Sequence, residues 1–194
     1  MSDVRTRPAL AVVGYAETVT EAPEQYSRNS SSLFADPLAW LMSGVCRAAV
    51  ADCDSELAAA GDLVGVITVS EICTLDTMRL IARATPRGRL SPLKFAGANP
   101  GSLAGLTCIR DGFRGPSLTL SMPPAAALPT ALDLAASWLE QGTARHVLVG
   151  THQRKGDTHA VRCAVLRSAD AAEAHPAPDL IRLSAPVRPA APTS

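Results

Sequence analysis

Apolar and polar residues follow two alternating periods along the chain, and these periods predict strands and helices in turn. Continuous apolar runs over 9–19 and 63–72 are typical of buried strands, while apolar spacings of three and four over 36–54 predict a helix. The same patterns predict further helices over 75–85 and 99–112 and further strands over 117–121, 145–153, 158–169 and 179–185. Strands that alternate with helices indicate an α/β fold, and the closing hairpin makes its mostly parallel sheet a mixed one.

Three prolines interrupt the junction between the strand 117–121 and the helix that ends at Gly142. In a helix beginning at 123, the ring of Pro129 would clash with the carbonyl group of residue 125. At the first position of a helix, in contrast, the fixed φ of proline fits and its missing N–H is not needed. We therefore predict an extended turn over 122–128 and a helix that begins near Pro129.

The bulk composition describes a folded chain without a strong charge preference. The chain has 194 residues, of which 47% are hydrophobic and 19% charged, and this indicates a globular core and excludes a disordered chain. A formal net charge of +0 argues against nucleic acid as a partner. No apolar run approaches the roughly 20 residues of a membrane helix, and the first residues lack the apolar core of a signal peptide.

Cysteine and lysine usage indicate the setting in which the protein acts. The five cysteines are scattered, odd in number and outside any CxxC motif, so we interpret them as reduced thiols and expect a cytoplasmic protein. Among the 18 basic residues only Lys94 and Lys155 are lysines, and alanine is abundant. This usage is typical of a bacterial genome of high GC content.

Sequence motifs for cofactors and metals are absent. The chain has no phosphate-binding GxxxxGKS/T loop, no GxGxxG and no HExxH. His152, Asp157 and His159 flank a predicted hairpin turn, but hairpin turns are usually polar because they are solvated, so we predict no metal site there. His146 and His175 have no evident partner in the sequence. We therefore expect neither a metal nor a cofactor.

One concentration of positive charge stands out in this neutral chain. It lies on the predicted helix 75–85 and the basic loop predicted over 86–95, and we call it the cation cluster: Arg79, Arg83, Arg87, Arg89 and Lys94. Two interpretations stay open. The cluster is either a solvated helix face and loop or a docking surface for an acidic partner.

Two segments carry a resemblance to a known family. SPLKFAGANPGSLAGLTCIRDGFRGPSLTLS (91–121), followed by ALDLAASWLEQGTARHVLVGTHQ (131–153), resembles the N-terminal half of β-ketoacyl synthases, and most closely the shorter ketosynthase-like and chain-length-factor-like proteins. The resemblance covers residues 8–185, which we take as one domain between flexible termini at 1–7 and 186–194. It implies a thiolase-like α/β/α architecture with a mixed, mostly parallel sheet.

The chain departs from the family's pattern where the catalytic chemistry is expected. The family's cysteine nucleophile corresponds to Pro124 when counted from Gly115 and to Ala125 when counted back from Gly142, and neither residue is a cysteine. A proline there would also lack the backbone N–H that belongs to the family's oxyanion hole. The family's C-terminal half, with its two catalytic histidines, has no counterpart in these 194 residues.

Three functions remain open on these residues. The first is a non-catalytic accessory subunit in polyketide or fatty-acid biosynthesis, which pairs as a homo- or heterodimer with itself or a ketosynthase, or binds an acyl carrier protein at the cation cluster. The resemblance implies that pairing uses the strand formed by Ser117, Leu118, Thr119, Leu120 and Ser121. The second is an enzyme that hydrolyses, cyclises or transfers acyl thioesters with a replaced nucleophile, for which Ser121 and Cys108 are candidates. The third is a degenerate copy with residual function only.

Overall fold

A five-stranded sheet forms the middle layer of the protein. The computed structural model describes residues 9–53, 57–88, 91–169 and 178–187. The strands are β1 (Leu10–Thr20), β2 (Val64–Ser70), β3 (Ser117–Leu120), β4 (His146–Lys155) and β5 (Thr158–Ser168). The α-helices are α1 (Pro37–Ala51), α2 (Leu75–Ala84), α3 (Pro92–Gly97), α4 (Ser102–Asp111), α5 (Pro124–Glu140) and α6 (Pro178–Arg182). In this part of the chain, no helix has the length and apolar character needed to cross a membrane.

The sheet is mixed, as the sequence predicts. Its strand order is β1-β5-β4-β2-β3. The pairs β2–β4 and β2–β3 are parallel, whereas β4–β5 and β1–β5 are antiparallel. Parallel and antiparallel pairings are equal in number among the described strands, so the sheet is mixed as predicted but not mostly parallel, because β1 pairs with the last strand of the hairpin. The four-residue strand β3 lies at the edge of the sheet.

Helices cover both faces of the sheet and complete an α/β/α arrangement, which confirms the predicted architecture. On one face, α1 and α4 pack against side chains that include Val66, Leu148 and Val165. On the other face, α5 packs against the alternate positions, which include Ile67 and Val149. Because both faces are covered, all seven residues of β2 are buried, and this explains the continuous apolar run in the sequence.

The predicted start of the long helix near Pro129 is wrong, because α5 begins at Pro124 and contains Pro129 in its second turn. The missing N–H of Pro129 deprives the carbonyl group of Ala125 of its helical partner. Both residues are exposed to water, whereas Pro124, Ala127 and Leu128 are buried. We attribute the early start to burial of this first-turn face, which offsets a proline penalty of about 3 kcal/mol.

Two short segments also differ from the sequence-based expectation. The predicted basic loop contains α3, which begins at Pro92 after Ser91, whose hydroxyl oxygen accepts the N–H of Lys94 at 3.4 Å. The strand predicted over 179–185 is instead the short helix α6 and its following turn. Leu180 and Leu183 lie three residues apart and both pack against the sheet, which is a helical spacing.

The predicted ends of the domain are only partly within the described residues. Val187 belongs to the segment 186–194 that we expect to be flexible, and it is buried. Pro186 is also described, whereas residues 1–7 and 188–194, together with Arg89 and His175, lie outside the described residues. The domain limits therefore stay a prediction.

Candidate functional site

The carboxyl ends of the parallel strands β2 and β4 meet beside the beginning of α5. Ligand sites of α/β proteins form at such an edge, outside the carboxyl ends of the strands. A cleft of about 630 Å³ opens here, and we call it the carboxyl-edge cleft. It is lined by Glu71, Ile72, Pro123, Pro124, Ala125, His152, Gln153, Arg154, Lys155, Gly156, Pro186 and Val187.

The beginning of α5 presents few hydrogen-bond donors to this cleft. Pro123 is the N-cap and Pro124 the first helical residue, and neither has a backbone N–H. The N–H groups of Ala126 and Ala127 both donate to the carbonyl oxygen of Pro123 at 3.0 Å. Of residues 123–127, only Ala125 retains an N–H without a backbone acceptor in the described part of the chain. Neither alternative for the nucleophile position, Pro124 or Ala125, carries a thiol or a hydroxyl.

Behind the cleft, three buried polar side chains connect β2, β4 and β5, and we call them the Ser–His–His chain. The Nδ1 atom of His152 lies 2.9 Å from Oγ of Ser70, and its Nε2 atom lies 3.0 Å from Nδ1 of His159. The rings of the two histidines are stacked, with centroids 5.1 Å apart. Ser70 and His152 are direct partners in the parallel register of β2 and β4.

Burial favours the neutral form of both histidines. Burial, with further contributions from His159 and Arg154, lowers the pKa of His152 from 6.5 to about 3. Burial and Arg154 also lower the pKa of His159, against the opposite influence of Asp76, Asp36 and Asp157. Because one nitrogen at the His152–His159 contact must donate and the other accept, the proton positions along the chain depend on one another.

The Ser–His–His chain has the residue types of an activated hydroxyl but lacks access to a substrate. A histidine beside a serine can activate its hydroxyl for nucleophilic attack. Ser70, however, is 0% exposed, and its Oγ atom also accepts the N–H of Cys73 at 2.9 Å. We therefore interpret the chain as a support that holds the ends of three strands in place.

This chain predicts a specific pH dependence of stability. Below pH 6.5 the unfolded chain protonates residue 152 whereas the folded protein does not, so the free energy of unfolding falls as the pH falls. Its contribution is up to roughly 1 kcal/mol per pH unit between pH 6.5 and about 5. We expect His152→Gln to have a shallower slope than the wild type over this range in urea unfolding followed by circular dichroism. An unchanged slope, in this variant and in His159→Gln, would contradict the assigned protonation states.

Ser121, one of the two candidate nucleophiles, lies next to a strained cysteine. It is exposed directly after β3, and its Oγ atom is 3.3 Å from Sγ of Cys73. Cys73 has a φ of 43°, in the left-handed region that residues with a side chain rarely adopt. Ser70 holds Cys73 there, since its carbonyl oxygen accepts the thiol at 3.1 Å while its Oγ atom accepts the N–H.

Cys108, the other candidate nucleophile, does not line the cleft, and neither does Cys163. Cys108 lies on α4, and burial raises the pKa of its thiol to about 11, so the reactive thiolate is scarce at neutral pH. Cys163 lies inside β5, where a hydrogen bond with Cys46 and complete burial raise its pKa.

His146 begins β4 and thus lies at the strand end opposite to the cleft. In the described part of the chain, no three His, Cys, Asp or Glu side chains are arranged to hold a metal ion.

The described members of the cation cluster lie together on the surface formed by α2 and α3. Arg79 and Arg83 are one turn apart on α2, Arg87 follows that helix, and Lys94 is on α3; all four are exposed. Arg79 forms an ion pair with Asp76 at 3.2 Å. No ion pair of Arg83, Arg87 or Lys94 occurs within the described residues.

Sequence reasoning missed Ser70, Cys73 and the contact between His152 and His159. The pattern of apolar residues places the two histidines beside a hairpin turn and by itself indicates no contact between them. One further signal in the sequence indicates this contact. The turn at Gly156 pairs the two strands of the hairpin, so His152, four residues before it, and His159, three residues after it, come close. The proximity of Ser70, 82 positions away, had no local signal.

Comparisons with known proteins agree with this architecture. The model of the family described as the β-ketoacyl synthase N-terminal domain matches residues 3–175. No curated protein matches the chain in a sequence search. Among solved structures, the ishigamide ketosynthase/chain length factor superposes with a TM-score of 0.63 at 16% identity, covering 86% of this chain and 64% of that one.

Two further structures have the same fold. A type II polyketide synthase complex of an acyl-carrier protein with its ketosynthase (AntDE:AntF) gives a TM-score of 0.63 at 13% identity, over 84% of this chain and 63% of that one. The ketosynthase ApeO in complex with its chain length factor ApeC, from Xenorhabdus doucetiae, gives 0.56 at 14% identity, over 84% and 80%. The chain thus spans less than two thirds of the first two matched chains, whereas the third is similar to it in length.

Proposed function

Because the chain belongs to the family of β-ketoacyl synthase N-terminal domains, we propose that it is a non-catalytic accessory subunit that pairs with a ketosynthase in the cytoplasm, in polyketide or fatty-acid biosynthesis. The observation that carries this proposal is the beginning of α5. Pro123, Pro124 and Ala125 occupy the turn in which the resemblance implies a cysteine nucleophile. A pseudoenzyme of this kind would contribute surfaces rather than chemistry.

The donor pattern of the turn supports a lack of condensation chemistry. An oxyanion is stabilised by preorganised N–H groups, and removal of one such donor typically lowers the rate about 10²–10³-fold. Two successive prolines remove two N–H groups from this turn, and Ala125 retains the one that is free of a backbone acceptor within the described residues. The missing nucleophile and the smaller number of N–H donors would both lower the rate of condensation.

The edge of the sheet supports pairing with a second protein. The N–H of Val66 donates to the carbonyl oxygen of Pro116 at 2.9 Å. This bond fixes which residues of β3 form hydrogen bonds with β2. Because the residues that bond to one neighbour alternate along a parallel strand, the N–H and carbonyl groups of Ser117 and Thr119 point away from β2. No described strand pairs with that side, and an unpaired edge is a template for another strand.

The cation cluster supports an additional contact with an acyl carrier protein. Such carriers are acidic, and Arg83, Arg87 and Lys94 have no acidic partner within the described residues. Exposed charges of one sign favour the encounter with a partner of opposite charge. Among the matched structures, one contains an acyl-carrier protein bound to its ketosynthase.

The proposal is tested by co-expression with a full-length ketosynthase of the same organism. We expect the two proteins to purify together as one assembly in size-exclusion chromatography, and condensation to stop when the chain is omitted. The isolated chain should neither decarboxylate malonyl thioesters nor elongate acyl thioesters. A chain that stays monomeric beside the ketosynthase and leaves its activity unchanged would overturn the proposal.

A cysteine placed at either degenerate position is expected not to restore condensation. Pro124→Cys would return a thiol and one N–H, and Ala125→Cys a thiol alone, but the decarboxylating histidines implied by the family have no counterpart in these 194 residues. Alkylation by iodoacetamide, followed by mass spectrometry, would establish whether the new thiol is accessible. Elongated product above the wild-type level, from either variant, would contradict a purely non-catalytic role.

A second candidate function is an enzyme that hydrolyses, cyclises or transfers acyl thioesters. The observation that favours it is the exposed hydroxyl of Ser121, 3.3 Å from the thiol of the conformationally strained Cys73. Strained residues cluster at functional sites. Turnover of an acyl thioester by the isolated chain, abolished in Ser121→Ala, would support this function. Absence of turnover in the wild type would exclude it for that substrate.

A further inference from the structure

A small cavity lies between β1, β5 and the residues that follow α6, and we call it the arginine pocket. It has a volume of about 390 Å³, which is within the size range of sites for small ligands. Pro186 also lines the carboxyl-edge cleft and thus stands between the two cavities. The described lining residues include none from α5 or β3, and they are Glu17, Val19, Arg162, Arg182, Ala185 and Pro186.

Arg162 is a buried cation whose hydrogen-bond donors are only partly used. It is 4% exposed and lies opposite Glu17 in the antiparallel register of β1 and β5. Its Nε atom donates to Oε1 of Glu17 at 2.9 Å. Its Nη1 atom donates to Oε1 of Gln153 at 3.2 Å and to the carbonyl oxygen of Ala185 at 2.8 Å. Within the described residues no acceptor binds Nη2, so the N–H groups of this atom remain for a ligand.

Arg182 brings a second guanidinium group to the pocket from the end of α6. Its side chain is 61% exposed, and its Nη1 atom pairs with Asp179 at 3.3 Å. Its guanidinium group also lies over the ring of Tyr15, 5.9 Å from the centroid. In the described part of the chain, its Nε and Nη2 atoms form no hydrogen bond. The two arginines therefore bring unused N–H groups to the same cavity.

Glu17, the one carboxylate among the described lining residues, is engaged by two donors. Its Oε1 atom accepts Nε of Arg162, and its Oε2 atom accepts the hydroxyl of Tyr15 at 3.4 Å. Burial, together with the charge of Glu17, raises the pKa of Tyr15 to about 12, so this hydroxyl remains a donor at neutral pH. Because one carboxylate faces two guanidinium groups, the lining keeps an excess of positive charge.

The charge and the apolar part of the lining together indicate the kind of ligand. Guanidinium groups bind planar carboxylates through paired N–H donors. The single excess positive charge favours a monoanion, and the side chains of Val19 and Pro186 favour a carbon body over a fully hydrated inorganic ion. We propose that the arginine pocket binds a small organic monocarboxylate. Its carboxylate group contacts Nη2 of Arg162 and the guanidinium group of Arg182.

Such a ligand would also hold the residues that follow α6. The carbonyl groups of three successive residues, 183–185, accept hydrogen bonds from side chains of β4 and β5, the last of them from Arg162. A ligand between Arg162 and Arg182 therefore adds a link between the sheet and this segment. The proposal goes beyond the proposed function, because it needs neither a ketosynthase nor the turn at Pro124.

The test is a titration of the full chain, labelled with ¹⁵N, in two-dimensional NMR at constant ionic strength. Sodium benzoate and sodium butyrate are the probes, and benzamide is the uncharged control of the same shape as benzoate. We expect saturable shifts at residues 17–19, 162 and 182–186 with both carboxylates and none with benzamide. Absence of saturable shifts, or equal binding of benzamide, would overturn the proposal. Tighter binding of inorganic phosphate than of benzoate would overturn the assignment to an organic acid.

Variants at exposed positions separate the pocket from the general surface. Arg182→Gln should weaken benzoate binding about 10-fold or more. Arg114→Gln is the matched control, at an exposed arginine that pairs with Asp62 outside the pocket, and it should leave binding within about 2-fold. Equal effects of the two variants would contradict the proposed site.

Glu17→Gln gives an effect of the opposite sign. The amide keeps an acceptor for Nε of Arg162 but removes the negative charge beside the ligand, so benzoate should bind about 3-fold more tightly or better. Circular dichroism establishes that the variant is folded. Weaker binding by the folded variant would show that the carboxylate does not lie beside Arg162.

Hydrogen exchange tests the link to the segment after α6. Saturating benzoate should slow amide exchange over 183–187 in the wild type, and the same concentration should have little effect in Arg182→Gln. Unchanged exchange in the wild type at saturation would place the bound benzoate elsewhere and overturn the proposal.

Discussion

Replacement of Gly14 by alanine is expected to destabilise the protein by about 1–3 kcal/mol or more, the largest effect that we expect from a single methyl group. A Cβ atom at this position would overlap the carbonyl oxygen of Ala49 and lie 3.2 Å from Cβ of Cys53. The obstacle is the backbone of α1, which cannot rotate away as a side chain would. Gly14 also adjoins the register shift of β1, where the strand approaches that helix.

Gly44→Ala is the matched control for Gly14→Ala. Gly44 lies on the exposed side of α1, and no atom outside its own helix lies within 4 Å of the Cβ atom it would acquire. Alanine inside a helix is favoured over glycine by about 0.5–1 kcal/mol, so this variant should be more stable than the wild type. Urea unfolding curves of both variants measure the two free energies. A Gly14→Ala variant as stable as the wild type would show that α1 and β1 are less closely packed than described.

Thr119→Pro is expected to weaken the association with a ketosynthase on the order of 10-fold or more while the chain remains folded. The N–H that proline removes points to the open side of β3, so the ladder between β3 and β2 keeps its own hydrogen bonds. A strand added at this edge would lose a donor and meet the proline ring. Isothermal titration with the partner measures the change in affinity.

Thr119→Val is the matched control, since the hydroxyl of Thr119 also lies 2.9 Å from that of Thr68 and both variants lose this contact. Valine keeps the N–H and should therefore retain most of the affinity. If both variants bind as tightly as the wild type, pairing does not use this edge. If both lose binding equally, the side-chain contact rather than the strand edge would be responsible.

The sequence predicts the strands and most helices because the apolar residues that are buried at the two faces of the sheet recur at regular spacings along the chain. The prediction fails at the beginning of α5. The rule that excludes Pro129 from the interior of a helix considers only nearby residues, whereas the burial of Pro124, Ala127 and Leu128 depends on the folded sheet. The prediction also fails at α6, because seven residues with apolar positions three apart are too few to separate a strand from a helix.

The candidate site could be predicted from the sequence only in part. The degenerate position at Pro124 or Ala125 follows from counting along a motif, so a linear sequence is enough. The Ser–His–His chain joins residues on β2, β4 and β5 that become neighbours only through the strand order. Similarly, a periodic pattern on α2 indicates an amphipathic helix without showing that Met78, on its apolar side, stays exposed.

The place of β1 in the sheet has a consequence for the synthesis of the chain. β1 leaves the ribosome before the other described strands, but its sheet partner is β5, with which Leu10 pairs at Ser168. Contacts between residues so distant in sequence form slowly, because a long loop must close before they stabilise anything. The apolar strand β1 therefore stays without its partner until β5 has been translated, and among the described strands it is the one most in need of protection from aggregation meanwhile.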